Sequence, residues 1–260
     1  MALNNTDIMP DIVNPVANKV GRMFSGDLPS LREWPYQAWV QISVGCNCVC
    51  SYCIVPSVRG RESSRPPAAI LDEVRRQAAE GVVEVTLLGQ NVNSYGRDLA
   101  SDGRTTFAEL LAEVAAVDGI ERVRYTSPHP KDIRDDVIAV HRDVPEVCPH
   151  IHLPAQSGST RVLKAMRRTY DRGRYLDLVD RIRDAVPDIA LTTDLIVGFP
   201  GETEDDHDGL LLFLEQARLD WCGLFAYSPE DGTYATTLDG EVKPQDFNFT
   251  VALVGYKVFG

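Results

Sequence analysis

The stretch GCNCVCSYC, residues 45–53, places Cys46, Cys50 and Cys53 in the spacing C-x3-C-x2-C. Three thiolates this close can hold three corners of an iron–sulfur cube, which leaves one iron without a protein ligand. An open iron can bind and activate a small molecule. A closed zinc site normally needs four protein ligands, and Cys48 has awkward C-x-C spacings to Cys46 and Cys50. We therefore favour the cluster over zinc.

The cysteine usage of the whole chain indicates a reducing compartment. Four of the six cysteines fall within eight of the 260 residues, too close for a disulfide framework. We interpret this as a cytoplasmic protein. No apolar run approaches the roughly 18 residues of a membrane span, and the N-terminus lacks the order of a secretory signal. We expect no membrane association.

The charge balance argues against a broad nucleic-acid-binding surface. The chain has 26 Lys and Arg against 38 Asp and Glu, a net charge of −12. Any RNA contact would have to be local. Arginines cluster in two places, and such clusters are usually solvated surface: Arg59, Arg61 and Arg65, and Arg167, Arg168, Arg172 and Arg174.

Strand and helix signals alternate after a lead-in over residues 1–36. Continuous apolar strands between helices imply a parallel sheet covered by helices, in a doubly wound sheet or a barrel. The predicted strands are Trp39–Val44, Val82–Leu88, Ile120–Thr126, Val147–Leu153, Ile189–Val197 and Trp221–Tyr227. The predicted helices are Pro67–Glu80, Thr106–Val117, Ile133–Arg142, Thr160–Met166, Gly173–Val186 and Glu204–Arg218.

Polar motifs follow the predicted strands at their carboxyl ends. In both architectures these loops form the active face, so we expect one shared site. The motifs are Cys46–Cys53, Gly89–Asn91, Ser127–Pro130, Pro154–Ser159, Gly198–Thr203 and Tyr227–Pro229.

Five segments together resemble the radical S-adenosylmethionine (SAM) core of the methylthiotransferases, from about Leu28 to about Thr233. They are GCNCVCSYCIVPSVRGRESSRP, LLGQNVNSYG, YTSPHP, HLPAQSGSTRVLKAMRR and TDLIVGFPGET. The best match is the branch that modifies isopentenyl-adenosine beside the tRNA anticodon. The resemblance implies an α/β fold, an incomplete (β/α)6 TIM-like barrel of the radical SAM type. It divides the chain into a lead-in (1–36), a radical SAM core (37–233) and an atypical tail (234–260).

The resemblance also implies the cofactors. Cys46, Cys50 and Cys53 would hold a 4Fe–4S cluster, SAM would chelate its open iron, and reductive cleavage would yield a 5′-deoxyadenosyl radical that takes a hydrogen from the substrate. No catalytic side chain is assigned. Position suggests further SAM contacts: Gly89 and Gln90 near the methionine part, Gln156, Ser157 and Arg168 at polar groups, and Val197 and Gly198 beside the adenosine.

The implied partners are a tRNA anticodon stem-loop and an external electron donor such as flavodoxin, and we expect a monomer. The family builds its second cluster in an N-terminal domain and binds RNA through a small C-terminal domain. Neither is recognised in this chain, so we expect full methylthiolation to need them. Local cations would rim the barrel mouth and contact RNA phosphates: Arg59, Arg61, Arg65, Arg167 and Arg168.

Two alternatives stay open at the level of sequence. The first is the related branch that methylthiolates an aspartate of a ribosomal protein, which the segment FAYSPEDGT at 225–233 slightly favours. The second, from another class, is a non-enzymatic zinc- or cluster-binding module.

Overall fold

Six parallel strands form an open barrel in the part of the chain that the computed structural model describes, residues 34–100 and 104–242. Two further strands are short and form an antiparallel ribbon beside it. In chain order the eight strands are β1 (Gln37–Gln41), β2 (Ser43–Val44), β3 (Ser63–Ser64), β4 (Glu84–Leu88), β5 (Arg122–Tyr125), β6 (His150–His152), β7 (Ala190–Val197) and β8 (Trp221–Ala226).

The strand order confirms the incomplete (β/α)6 barrel. One sheet has the order β1-β4-β5 and another β6-β7-β8. A parallel bridge between Val123 and Val147 joins the two, with the Val123 N–H donating to the Glu146 carbonyl at 2.7 Å. The strands therefore follow one another around an arc in which β1 and β8 are the two ends. Their carboxyl ends meet on one face, as parallel strands require.

Seven α-helices are present in the described residues, and the longer ones cover the outside of the arc. The seven are α1 (Val55–Arg59), α2 (Pro67–Ala79), α3 (Phe107–Ala115), α4 (Asp135–Asp143), α5 (Thr160–Ala165), α6 (Arg172–Ala185) and α7 (Glu204–Ala217). Local sequence sets several of their ends. Thr106 and Glu109 form a capping box at the start of α3, and Gly81 follows α2 with a φ of +92°.

The apolar core lies between the strands and the helices. Along β7, Leu195 and Val197 are buried in it, whereas Asp194 and Ile196 alternate with them and are half-buried on the inner side of the arc. This two-residue period gives every barrel strand a core face and a face toward the barrel interior.

Two predicted strands are shorter than the sequence suggests. The strand predicted over Trp39–Val44 breaks at Ile42, because Ser43–Val44 turns away and pairs with Ser63–Ser64. The strand predicted over Val147–Leu153 is reduced to His150–His152. Pro149 lies between these residues and the bridge at Val147, and proline has no N–H to donate to a neighbouring strand.

The predicted lead-in and tail fall largely on residues that the structure does not describe, 1–33 and 243–260. The domain boundaries at 36/37 and 233/234 therefore stay predictions. Within the described ranges, no helix is both long and apolar enough to cross a membrane.

Candidate active site on the carboxyl face of the barrel

The three predicted ligand cysteines lie in one loop between β2 and α1. Cys46 is 9% exposed, and Cys50 and Cys53 are half-buried. The Cys46 N–H donates to the Gly60 carbonyl at 3.1 Å, and the Cys53 N–H donates to the Cys50 carbonyl at 3.2 Å. Backbone contacts thus fold the loop so that the thiols stand at the carboxyl face.

The rest of the barrel holds this loop at both ends. The Gly45 N–H donates to Oε1 of Gln90, which follows β4, at 2.7 Å. On the other side, Ser51 donates from its N–H to the Met166 carbonyl at 3.0 Å and from its hydroxyl to the Ala165 carbonyl at 2.9 Å. The loop is therefore tied both to β4 and to the end of α5.

Gly89 and Gln90 contribute to this support. A Cβ on Gly89 would lie 2.7 Å from the Ser43 hydroxyl oxygen and 3.2 Å from the Val92 Cα, so the segment after β4 packs closely against the start of the cysteine loop. The Gln90 side chain, expected beside the methionine part of SAM, uses its carbonyl oxygen on the cysteine loop. Its NH2 group remains as a donor for a ligand.

Arg168 reaches the cysteine loop from the segment after α5. Its Nη1 lies 3.4 Å from Cys50 Sγ, its Nη2 donates to the Pro154 carbonyl at 3.2 Å, and its Nε donates to the Tyr170 hydroxyl at 2.9 Å. Burial acts to lower the pKa of Arg168, but the Cys50 thiolate and the hydrogen bond with Tyr170 act in the opposite direction, and the pKa stays above its usual value. The guanidinium is therefore a fixed positive charge beside a cysteine.

The electrostatics differ among the loop cysteines. Burial raises the pKa of Cys53. For Cys48, the hydrogen bond with Cys46 and the nearby Lys131 lower the pKa to about 6. Cys48 also accepts a weak hydrogen bond from Asn91 Nδ2 at 3.7 Å. It thus has polar partners of its own outside the predicted ligand set.

The donor set fits an iron–sulfur cluster. Thiolates are soft anionic ligands, and the cysteines of a cube each bind a different iron. In the described residues, no three Cys, His, Asp or Glu side chains converge closely enough to hold a single ion. Arg168 supplies a cation beside the thiols, which offsets the negative charge that three thiolates bring to a buried loop.

A cavity of about 240 Å³ opens beside the cysteine loop, between the ends of β7 and β8. Gln156 lines it in a strained left-handed conformation (φ +72°), which costs about 1–2 kcal/mol outside glycine. Its N–H and carbonyl pair with Asp194 and Ile196 at 2.9 Å. Strain held in place by a strand ladder is typical of a functional position. The other lining residues are Tyr52, Asp194, Ile196, Phe225, Ala226, Tyr227 and Ser228.

The cavity has the groups that a SAM-sized ligand needs. The Tyr227 hydroxyl is buried and has no hydrogen-bond partner in the described part of the chain. The oxygen atom is itself shielded from solvent, so it does not face the open part of the cavity. Tyr52 and Phe225 offer rings for a purine, and Gln156 and Asp194 offer polar atoms.

Of the seven predicted SAM contacts, only Gln156 lines this cavity. Gly89, Gln90 and Arg168 support the cysteine loop instead, and the remaining three residues have other partners. Ser157 is 2% exposed, and its hydroxyl accepts from the Ser159 N–H at 3.1 Å as part of a turn. The Val197 side chain packs in the core, and the Gly198 N–H donates to Glu202 Oε2 at 2.6 Å. Their roles toward SAM stay predictions. Tyr227 belongs to a strand-end motif that the sequence predicts at the shared site, whereas Asp194 and Phe225 are not among the predicted site residues. The alternation of Asp194 with buried neighbours along β7 is a signal that could identify it.

The predicted convergence of the strand-end motifs is visible in their contacts. Asn93, after β4, exchanges two hydrogen bonds with the backbone of His129, after β5, at 2.8 and 3.0 Å. Asn91 Nδ2 donates to Asp132 Oδ2 at 2.9 Å. Burial lowers the pKa of His129 to about 2, so this histidine is neutral and acts as a hydrogen-bonding residue.

The predicted rim of arginines is wrong for two of its members, Arg65 and Arg168, whereas Arg167 is exposed. Arg65 is 2% exposed and forms an ion pair with Glu73 at 2.6 Å, so it supports the fold. Arg168 contacts Cys50 inside the site. Arg167 lies over the ring of Tyr234, 3.7 Å from its centroid. Arg59 and Arg61 are exposed, as expected.

Comparison with known proteins agrees with this geometry. Residues 40–214 match the family model of the radical SAM superfamily, and the chain belongs to that superfamily. Membership confirms the predicted cofactor class, an iron–sulfur cluster with SAM, and sets the zinc module aside.

The curated proteins that are similar to this chain carry a more specific name than that of the superfamily. The chain is 54% identical over 222 residues to the tRNA-2-methylthio-N(6)-dimethylallyladenosine synthase of Acidothermus cellulolyticus, covering 85% of this chain and 44% of that protein. Identity is also 54% over 225 residues to the Mycobacterium avium protein of the same name, of which the match covers 32%. The chain thus spans less than half the length of these relatives. The resemblance inferred from the sequence is confirmed.

Solved structures share the fold at low sequence identity. The Kitasatospora setae radical SAM methyltransferase TsrM has a TM-score of 0.58 at 17% identity, over 74% of this chain and 36% of that one. Methylornithine synthase has a TM-score of 0.54 at 13% identity, over 80% and 58% of the two chains. These similarities support the barrel architecture alone.

Proposed function

We propose that this chain is the radical SAM core of a methylthiotransferase that adds a methylthio group to isopentenyl-adenosine next to the tRNA anticodon. The observation that carries the proposal is the loop with Cys46, Cys50 and Cys53, held at the carboxyl face by Gln90 and Arg168. The named relatives at 54% identity support the reaction and the substrate.

Each part of the site has a role in this proposal. Cys46, Cys50 and Cys53 would hold a 4Fe–4S cluster, which when bound supplies the one-electron cleavage of SAM. Gln90 fixes the loop through Gly45. Lining residues of the cavity orient SAM and exclude water, with Tyr52 and Phe225 beside the purine. All seven predicted positions are retained as proposed SAM contacts: Gly89, Gln90, Gln156, Ser157, Arg168, Val197 and Gly198.

The proposal also covers the electron donor, the oligomeric state and the cellular compartment. An external one-electron donor such as flavodoxin would reduce the cluster, and the chain would act as a monomer. The cytoplasm suits such a site, because its reducing conditions keep the six cysteines free.

The ribosomal-protein branch is the rival substrate class. The relatives described above carry tRNA in their names, which favours tRNA. A competition assay with the enzyme assembled from this core and its partner domains decides the matter. Modification of the ribosomal protein alone would reject the tRNA substrate.

We expect the anaerobically reconstituted chain to cleave SAM to 5′-deoxyadenosine with dithionite. The cluster loop and the cavity are both present, so cleavage should proceed at a low rate without substrate. Liquid chromatography of the product measures it. Outside the proposed ligand set the chain has three cysteines, Cys48, Cys148 and Cys222. Because Cys148 and Cys222 are buried, they cannot form a second cluster site with Cys48 on which sulfur could be assembled. Methylthiolated adenosine formed by this chain alone would contradict that part of the prediction.

Removal of the Arg168 charge should lower the midpoint potential of the cluster. Hydrogen bonds and positive charge near the cluster sulfurs stabilise the reduced, more negative state. We expect Arg168→Gln to shift the potential to a more negative value at full iron content, and Arg168→Lys to shift it less. A redox titration followed by electron paramagnetic resonance measures this. The matched control is Arg167→Gln, one residue earlier and stacked on Tyr234. Equal shifts in the two Gln variants would reject the role of Arg168.

A further inference from the structure

A groove of about 280 Å³ lies between the loop after β5 and helix α6, next to the candidate active site. Lys131 comes from the loop after β5, Thr169 and Tyr170 precede α6, and Arg174 and Arg181 are on α6. Nothing described so far uses this groove. None of its cations belongs to the rim that the sequence predicts from the arginines of the cysteine loop and of residues 167–168.

The charge of this groove differs from that of the chain. Three cations line it, and its lining residues include no carboxylate within the described ranges. Arg181 pairs with Asp135, and Lys131 Nζ lies 4.0 Å from Asp132 Oδ2. Arg174 is exposed and takes part in no ion pair found in the described part of the chain. In a protein of net charge −12, these three cations give the groove a local positive charge, which Asp135 and Asp132 partly offset at two of them.

The groove shares a wall with the candidate active site. The Tyr170 ring lies 5.7 Å from the His129 ring, and the Tyr170 hydroxyl accepts from Arg168, which contacts Cys50. Lys131 lies beside Cys48 of the cysteine loop. An anionic polymer seated in the groove would therefore pass directly beside the loop that holds the reacting centre.

We propose that this groove binds the phosphodiester backbone of an RNA strand beside the base that enters the site. The inference rests on the proposed function, because it takes the substrate to be RNA. Lysine and arginine bind phosphate without reading sequence, and they set the position of a strand whose base is recognised elsewhere. Arg174 and Arg181 are seven residues apart on α6, roughly 10 Å, so the groove extends along more than one phosphate.

The test is RNA binding by the whole chain, measured by fluorescence anisotropy with an anticodon stem-loop over a series of salt concentrations. The groove variant carries Lys131→Ala and Arg174→Ala. The control variant carries Arg76→Ala and Arg142→Ala, two exposed cations near the ends of α2 and α4, and changes the net charge equally. A third variant, Lys131→Arg with Arg174→Lys, keeps both charges. Circular dichroism and iron content confirm that all variants fold.

We expect the groove variant to bind roughly tenfold more weakly and to lose about one to two units of slope in log K against log salt. The control and the charge-keeping variant should bind as the original chain does. The loss should be equal for stem-loops with and without the isopentenyl group, because phosphate contacts carry no base information.

Three results would overturn the proposal that the groove binds RNA. They are unchanged RNA affinity of the groove variant, an equal loss of affinity in the control variant, and no RNA binding by the original chain at low salt. Tighter binding of an acidic peptide than of RNA, lost in the groove variant, would assign the groove to a protein partner instead. Failure of the proposed function gives a different result. In that case SAM cleavage is absent while the groove variant still loses RNA affinity.

Discussion

Replacement of Cys46, Cys50 or Cys53 by alanine should abolish the iron–sulfur chromophore of the reconstituted chain. Each substitution removes one of only three protein bonds to the cluster, and the loop offers no exposed carboxylate or imidazole in its place. We expect iron and sulfide content to fall to background, and reductive SAM cleavage to fall with it. The loss is measured by the absorbance of the sulfur-to-iron charge-transfer band, together with iron and sulfide analysis.

The matched controls come from the same chain. Cys148 and Cys222 are buried in or beside barrel strands, so Cys148→Ala and Cys222→Ala should keep the cluster at a modest cost in stability. Cys48→Ala should also keep it, because the Cys48 thiol lies against Asn91 and Lys131, outside the predicted ligand set, and its backbone N–H bond to Cys46 Sγ is unaffected. Loss of the cluster in Cys48→Ala together with its retention in Cys50→Ala would show that the ligand assignment is wrong.

The second large effect is expected at Gly45, which opens the cysteine loop. Its φ is +77°, and a Cβ there would lie 2.3 Å from the Arg61 carbonyl oxygen and 2.6 Å from that of Gly60. Both atoms belong to the backbone and cannot rotate away. We expect Gly45→Ala to lower the free energy of unfolding by at least about 3 kcal/mol and to reduce cluster content sharply. Chemical denaturation of the apoprotein and iron analysis measure the two effects.

Gly81 provides the comparison for Gly45. Its φ is +92°, but a Cβ there meets nothing within 4 Å. Gly81→Ala therefore carries the conformational strain without the overlap, and should cost about 1–2 kcal/mol with normal cluster loading. If both variants lose the same stability and load iron equally, the close approach of the cysteine loop to residues 60–61 does not control the site.

Much of the fold could be predicted from local sequence. The alternation of apolar strands with helices, and the turn residues between them, follows from short-range backbone and side-chain preferences. Capping residues such as Thr106 and the glycine at position 81 mark helix ends by the same local physics. The cysteine spacing was equally readable, because three ligands on one short loop need no tertiary contact to be close together.

The choice between a barrel and a doubly wound sheet could not be made from local sequence. Both architectures have the same local pattern, and the parallel bridge from Val123 to Val147 links segments whose pairing no local signal specifies. The resemblance to known radical SAM cores decided this choice before the structure did. Strand pairing then showed the open arc directly.

The sequence alone determined the cluster loop, the strand-end placement of the motifs and the superfamily, because each depends on residues that are near one another in the chain. Only the tertiary structure decided which side chains meet. It buried Arg65 against Glu73, brought Arg168 to Cys50 across 118 residues, and turned Asp194 rather than Val197 toward the cavity. These outcomes depend on strand register and on the packing of distant segments, where desolvation and close contact select one partner among many that the sequence allows.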